Sequence, residues 1–218
     1  NEVLRKIGRN LLNYQQIERL LKFIVSRGSF AVFRKDTQEK LEQRAEVIQR
    51  QTMGMLINPF VKKTYFGTEE DAISPDSPEV PFITFTFKVE CNNDIYEFEK
   101  MELETIVADR NELVHHLLPQ LDLNTIEGCM KADSELQMKN EILLPKIESL
   151  KSLALSLQEG MKIHSEFLQS EDGIKQIELL WLRQSRIISL LIDIASQAAR
   201  YDGWTLLNLA GQILKQNA

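Results

Sequence analysis

Apolar residues recur at Val3, Ile7, Leu11, Leu12, Ile17, Leu20, Leu21 and Ile24, the three-and-four spacing of an amphipathic helix from Glu2 to about Ser26. Gly28 offers a stop for it. A second stripe, Leu41, Ala45, Ile48, Met55 and Leu56, predicts a helix from Asp36 to about Ile57, ended by Asn58-Pro59. The pattern then changes. Residues 67–81 are polar, acidic and proline-rich and read as a loop. Phe82 to Val89 is rich in aromatic and β-branched residues, Asn92-Asn93-Asp94 supplies a turn, and Ile95-Tyr96-Glu97-Phe98 returns. The 82–98 segment therefore predicts a β-hairpin. An isolated hairpin is marginal in water, so this one is expected to pack against helices or a partner.

Helical spacing resumes at about Lys100 and runs to Leu118, where Pro119 ends it. After a loop through Asp122 and Asn124, a long helix is expected from about Thr125 to Leu168, with a possible bend at Pro145, where proline removes a backbone hydrogen bond. Ser170 or Asp172 opens a further helix reaching Ala199. The expected fold is mainly α, a bundle of about five or six helices with a small β-hairpin insertion. Its helical domain covers residues 1–200, and a terminal helix covers 201–218.

Composition narrows the class. The 218 residues are 43% hydrophobic and 27% charged, as in a globular chain able to bury a substantial core. No apolar run approaches the roughly 20 residues that span a bilayer, and the N-terminus lacks a signal-peptide pattern. The chain opens at Asn1 and stops within a helical pattern, so a fragment is expected. Cys91 and Cys129 are the only cysteines and lack metal-ligand spacing, which makes a reducing cytoplasm the expected location. A net charge of −6 argues against sequence-independent coating of nucleic acid, and leaves room for a small basic cleft. The basic residues of the first helix, Arg5, Lys6, Arg9 and Arg19 among them, read as a solvated face. Phosphate-binding loops, dinucleotide fingerprints, Cys/His metal clusters and nucleophile elbows are missing from the sequence, so neither cofactor nor metal is expected. Trp181 and Trp204 read as core or interface residues.

The stretch that carries chemistry is Ala108-Asp109-Arg110-Asn111-Glu112-Leu113-Val114-His115-His116. Arg110 holds a permanent charge in a planar fork suited to phosphate, and His115 can give or take a proton near neutral pH. Asn111 cannot titrate, and one helical turn before His115 it can orient an imidazole or a phosphate oxygen. RNA can be cleaved by its own 2′-hydroxyl when a base removes that proton, an acid protonates the departing 5′-oxygen and a cation stabilises the charged phosphorane. On a regular helix at about 100° per residue, Arg110 and His115 stand about 140° apart, too far to share a narrow face. A second copy of the helix across a two-fold axis brings both residue types to one cleft. His116 and His164 read as surface or packing residues.

The order Arg-Asn-x-x-x-His resembles the signature of the HEPN superfamily. That resemblance rests on Arg110, Asn111 and His115 for the motif and on residues 1–200 for the architecture. It implies a metal-independent endoribonuclease that dimerises and builds a composite active site. It also implies a toxin or antiphage role, with an antitoxin or regulatory domain as a partner beside RNA and a second copy. Asp202 to Lys215 resembles the opening helix of a LOTUS domain, an RNA-binding winged helix. A different reading pairs Arg110 with a carboxylate such as Asp109. The chain is then a non-catalytic helical dimerisation or RNA-binding module, or a structural adaptor.

Overall fold

A computed structural model describes residues 2–33, 37–66, 82–117, 125–201 and 203–217. Helix α1 (Glu2–Arg27) forms where the apolar spacing predicts it, with Ile7, Tyr14, Ile17, Leu21 and Ile24 on its buried side. It stops at Gly28, whose amide donates to the Ile24 carbonyl oxygen at 2.7 Å. A Cβ on Gly28 would stand 2.7 Å from that same oxygen, so glycine alone closes this turn without displacing backbone.

The helix expected over 36–57 is two helices, α2 (Thr37–Gln49) and α3 (Met53–Val61). Lys22 on α1 contributes to the break. Its Nζ pairs with Glu18 at 2.7 Å and donates to the Gln49 carbonyl at 3.0 Å, so the last carbonyl of α2 finds its partner outside the helix. Asn58-Pro59 does not end α3, because Pro59 lies inside it. The proline costs a backbone bond, but Leu56, Phe60 and Val61 are fully buried, and that packing holds the turn together. A π-helical turn (Lys62–Phe66) follows.

The hairpin expected over 82–98 does not form. Strand β2 (Phe82–Thr86) pairs instead with β1 (Ser29–Phe33), an apolar run that periodicity left unassigned. Phe87 donates to the Gly28 carbonyl at 2.6 Å beside this two-stranded sheet. The expected return strand is the start of helix α4 (Asn93–Asn111). Asn92 decides this locally. Its Oδ1 accepts from the Ile95 amide at 2.9 Å, and Asp94 sits in the first turn, where the helix dipole favours an acid.

Helix α5 (Ile126–Gln169) runs through Pro145 and is the long helix that the sequence predicts. Its buried residues include Leu136, Leu143, Ile147 and Leu150, which join Leu21, Phe60, Leu103 and Ile106 in one core. Polar contacts fix the directions of its neighbours. Lys6 pairs with Asp133 at 2.7 Å and Asn13 donates to Asn140 at 2.9 Å, so α1 lies parallel to α5. Asp109 pairs with Lys139 at 2.6 Å, and Glu99 and Glu102 pair with Lys146, so α4 lies antiparallel to α5.

The helix expected from Ser170 to Ala199 divides at Ser185 into α6 (Glu171–Gln184) and α7 (Arg186–Gln197). Ser170 caps α6 by accepting from the Gly173 amide at 3.0 Å. A Cβ on Gly173 would stand 1.9 Å from the Phe167 carbonyl oxygen, so the tight joint between α5 and α6 requires glycine. Helix α8 (Leu207–Asn217) is the expected terminal helix. The described residues thus hold eight α-helices, more than the five or six expected, because two of the expected helices are each divided. The chain forms two compact units, Asn1–Ile73 with Thr84–Lys162, and Ser74–Ile83 with Ile163–Ala218. The loop expected over 67–81, the stop at Pro119 and the loop through Asp122 and Asn124 lie outside the described residues. Among the described residues, no helix is long and apolar enough to cross a membrane.

Candidate active site

The motif does not sit on a regular helix. Arg110 and Asn111 are the last two residues of α4, and a π-helical turn (Glu112–Leu117) carries His115. In a π turn the hydrogen bonds run from i to i+5, so residues five apart come closer in azimuth than α-geometry allows. Leu113 is fully buried and anchors this wider turn to the core, while His115 and His116 are exposed. The two imidazole centroids lie 6.4 Å apart with their planes at 67°.

Arg110 is half-buried, and its Nη1 donates to Asn111 Oδ1 at 3.1 Å. Asn111 therefore orients the guanidinium, a role its distance from His115 on a regular helix did not suggest. Among the described residues no hydrogen bond joins His115 to Arg110 or Asn111, and no carboxylate pairs with Arg110. Asp109, the carboxylate nearest in sequence, is held by Lys139.

Below the motif lies a polar seam that sequence reasoning missed. Tyr14 and Asn10 sit one turn apart on the buried side of α1. Asn10 Nδ2 donates to the Leu136 carbonyl at 2.8 Å, whereas Asn10 Oδ1 and the Tyr14 hydroxyl are buried without a hydrogen-bond partner. Burial, and then the negative charge of Asp109, push the Tyr14 phenol above its ordinary range, so it stays neutral. The available signal was an asparagine and a tyrosine four apart on an otherwise apolar stripe.

A second missed cluster lies toward the start of α4. Lys146 is buried and meets Glu99 at 2.5 Å and Glu102 at 2.7 Å. The Tyr65 phenol is also held above the ordinary range, first by burial and then by the negative charge of Glu99. A cleft of ≈ 360 Å³ opens beside it, lined by Tyr65, Lys88, Cys91 and Tyr96 among others. Two further clefts run past Val3, Ile126 and Met130 (≈ 540 Å³) and past Arg19, Phe23 and Leu155 (≈ 370 Å³). Arg110, Asn111 and His115 line none of these three. Among the described residues, no group of three His, Cys, Asp or Glu side chains is placed to hold a metal ion.

The arrangement offers a guanidinium steadied by an amide, and an exposed imidazole in the next turn. It can bind a phosphate and transfer one proton. A second proton-transfer group is needed beside this imidazole, and His116 and Glu112 are carried on the same turn. No family model, curated protein or solved structure matches this chain.

Proposed function

We propose that the chain is a metal-independent endoribonuclease of HEPN type that acts as a homodimer. The observation that supports this reading is the π turn at the motif, which leaves His115 exposed one turn after an Arg110 that no carboxylate among the described residues neutralises. In the mechanism, the imidazole of one copy removes the proton of the RNA 2′-hydroxyl, and O2′ attacks phosphorus. The bond to the 5′-oxygen breaks, and the protonated imidazole of the other copy supplies its proton. Arg110 side chains stabilise the negative charge on the phosphorane. The products are a 2′,3′-cyclic phosphate and a 5′-hydroxyl. A toxin or defence role, with an antitoxin or regulatory domain as partner, follows only from the family resemblance.

In this reading the outer side of α4 receives a second copy. Met101 is 64% exposed, and Thr105 and Ala108, four and seven residues further on, are small and exposed, leading along the helix to the motif. A partner α4 seated there in parallel would bring a second motif to the same end.

The alternative is a non-catalytic helical dimerisation or RNA-binding module. It is favoured by the position of the motif outside the three clefts described above. Incubating RNA with the protein in EDTA and analysing the product ends separates the two. Cyclic phosphate ends support the ribonuclease, and intact RNA that binds without cleavage supports the module.

A further inference from the structure

The cleft at the start of α4 gathers polar groups that the motif does not use. Lys88 and Glu90 line it two residues apart, both exposed, and among the described residues neither has an ion-pair partner. Between them, the Val89 amide donates to the carbonyl of buried Thr64 at 2.7 Å, so the backbone that carries both charges is anchored. Asn92 and Asn93 line the cleft from the start of α4. The Ile95 amide occupies Asn92 Oδ1 at 2.9 Å, which leaves the side-chain nitrogen of Asn92 as a donor. Tyr65 and Tyr96 belong to the same lining, and buried Tyr65 meets Phe60 edge to face at 5.9 Å between centroids.

We propose that this cleft binds a small zwitterion, a free amino acid, with its ammonium at Glu90 and its carboxylate at Lys88 and the Asn92 amide. The balance of charge selects this class. RNA would bring its phosphates toward Glu90, and toward Asp94 and Glu97 in the adjoining turn of α4, all of them exposed carboxylates. A simple amine would meet Lys88 as a like charge. A neutral nucleobase would leave both charges unmatched. A zwitterion answers each of them with a charge-assisted hydrogen bond, and tyrosine ring faces attract an ammonium group. Size agrees, because ≈ 360 Å³ lies near the lower end of the roughly 300–1,000 Å³ range of small-molecule sites.

The site is compatible with a second copy on α4. At about 100° per residue, Tyr96 stands about 140° round the helix from Met101. A partner seated on Met101, Thr105 and Ala108 therefore does not cover the cleft. Arg110 lies at the other end of α4, so the proposal does not depend on the ribonuclease reading.

Calorimetric titration of the full chain with each common amino acid in free form tests it. At least one is expected to bind with a dissociation constant of about 1 mM or below. Its N-acetyl form lacks the ammonium and its methyl ester lacks the carboxylate, and each should bind about tenfold or more weakly. Lys88→Gln should remove most of the discrimination against the ester, and Glu90→Gln most of that against the N-acetyl form. Both side chains are exposed, so circular dichroism should show unchanged helicity. Arg110→Ala and Met101→Glu should leave binding unaltered. The proposal is overturned if no amino acid binds at millimolar concentration, or if both substitutions leave binding unchanged. Methylamine or adenosine monophosphate binding here as tightly as the best amino acid also overturns it. Loss of RNA cleavage in a chain that still binds the amino acid bears on the motif alone.

Discussion

Asp109 and Lys139 form an ion pair of 2.6 Å that links the end of α4 to α5 one residue before Arg110. The pair removes the carboxylate that would otherwise compete for the Arg110 guanidinium, which turns to Asn111 instead. Lys139→Ala should release Asp109 to draw on Arg110. Because both partners are partly exposed, the stability cost should be about 1 kcal/mol or less. RNA cleavage should fall by roughly tenfold or more, since catalysis depends on placement within about an ångström. Urea unfolding and a cleavage assay on the same preparation check both numbers. Unchanged cleavage would count against a role for this pair in arranging the motif.

Lys146 is buried between two carboxylates, and removing it leaves Glu99 and Glu102 without their cation. Lys146→Ala should destabilise the protein by about 3–5 kcal/mol, the range for breaking a buried ion pair from one side. The triple change Lys146→Met, Glu99→Gln and Glu102→Gln should recover much of that loss. Denaturant unfolding of the three proteins is the measurement.

Tyr65 gives a pH dependence with a definite sign. Its folded phenol is raised above the ordinary value near 10, chiefly by burial and then by Glu99. The stabilisation is therefore complete below about pH 10, where folded and unfolded chains are both neutral, and is lost as pH rises toward the folded value. Unfolding free energy should fall between about pH 10 and pH 11, and Tyr65→Phe should flatten part of that slope.

Asn92 tests why 93–98 is helix and not strand. Asn92→Ala removes the acceptor for the Ile95 amide and should cost about 1 kcal/mol, while Asn92→Asp should keep the cap and cost little. Thermal unfolding resolves the two. Equal stability of all three proteins would mean that packing alone sets the start of α4.

The parts of the fold legible in the sequence were those that one element specifies by itself. The apolar stripe of α1 and the long run of α5 needed no knowledge of neighbours. The misplaced boundaries were set from elsewhere in the chain. Lys22, far away in sequence, takes the last carbonyl of α2. The alternation of 82–86 correctly indicated a strand, but its partner is β1, and periodicity carries no information on pairing. For the site, residue types and spacing singled out Arg110, Asn111 and His115. The π turn was not legible, because the wide turn hinges on where the buried Leu113 must sit against the core. Asn10 and Tyr14 were lost within a hydrophobic stripe for a similar reason, since their polar atoms matter only once α4 and α5 close over them.

The most direct test of the ribonuclease proposal is the single-turnover rate of RNA cleavage in EDTA for the wild type and for Arg110→Ala, His115→Ala and His116→Ala, each shown to be folded by circular dichroism. The proposed mechanism predicts cleavage without metal. It also predicts losses on the order of a hundredfold or more for Arg110→Ala and His115→Ala, and more remaining activity for His116→Ala than for His115→Ala. Cleavage abolished by EDTA, or a wild-type rate in folded His115→Ala, would contradict it.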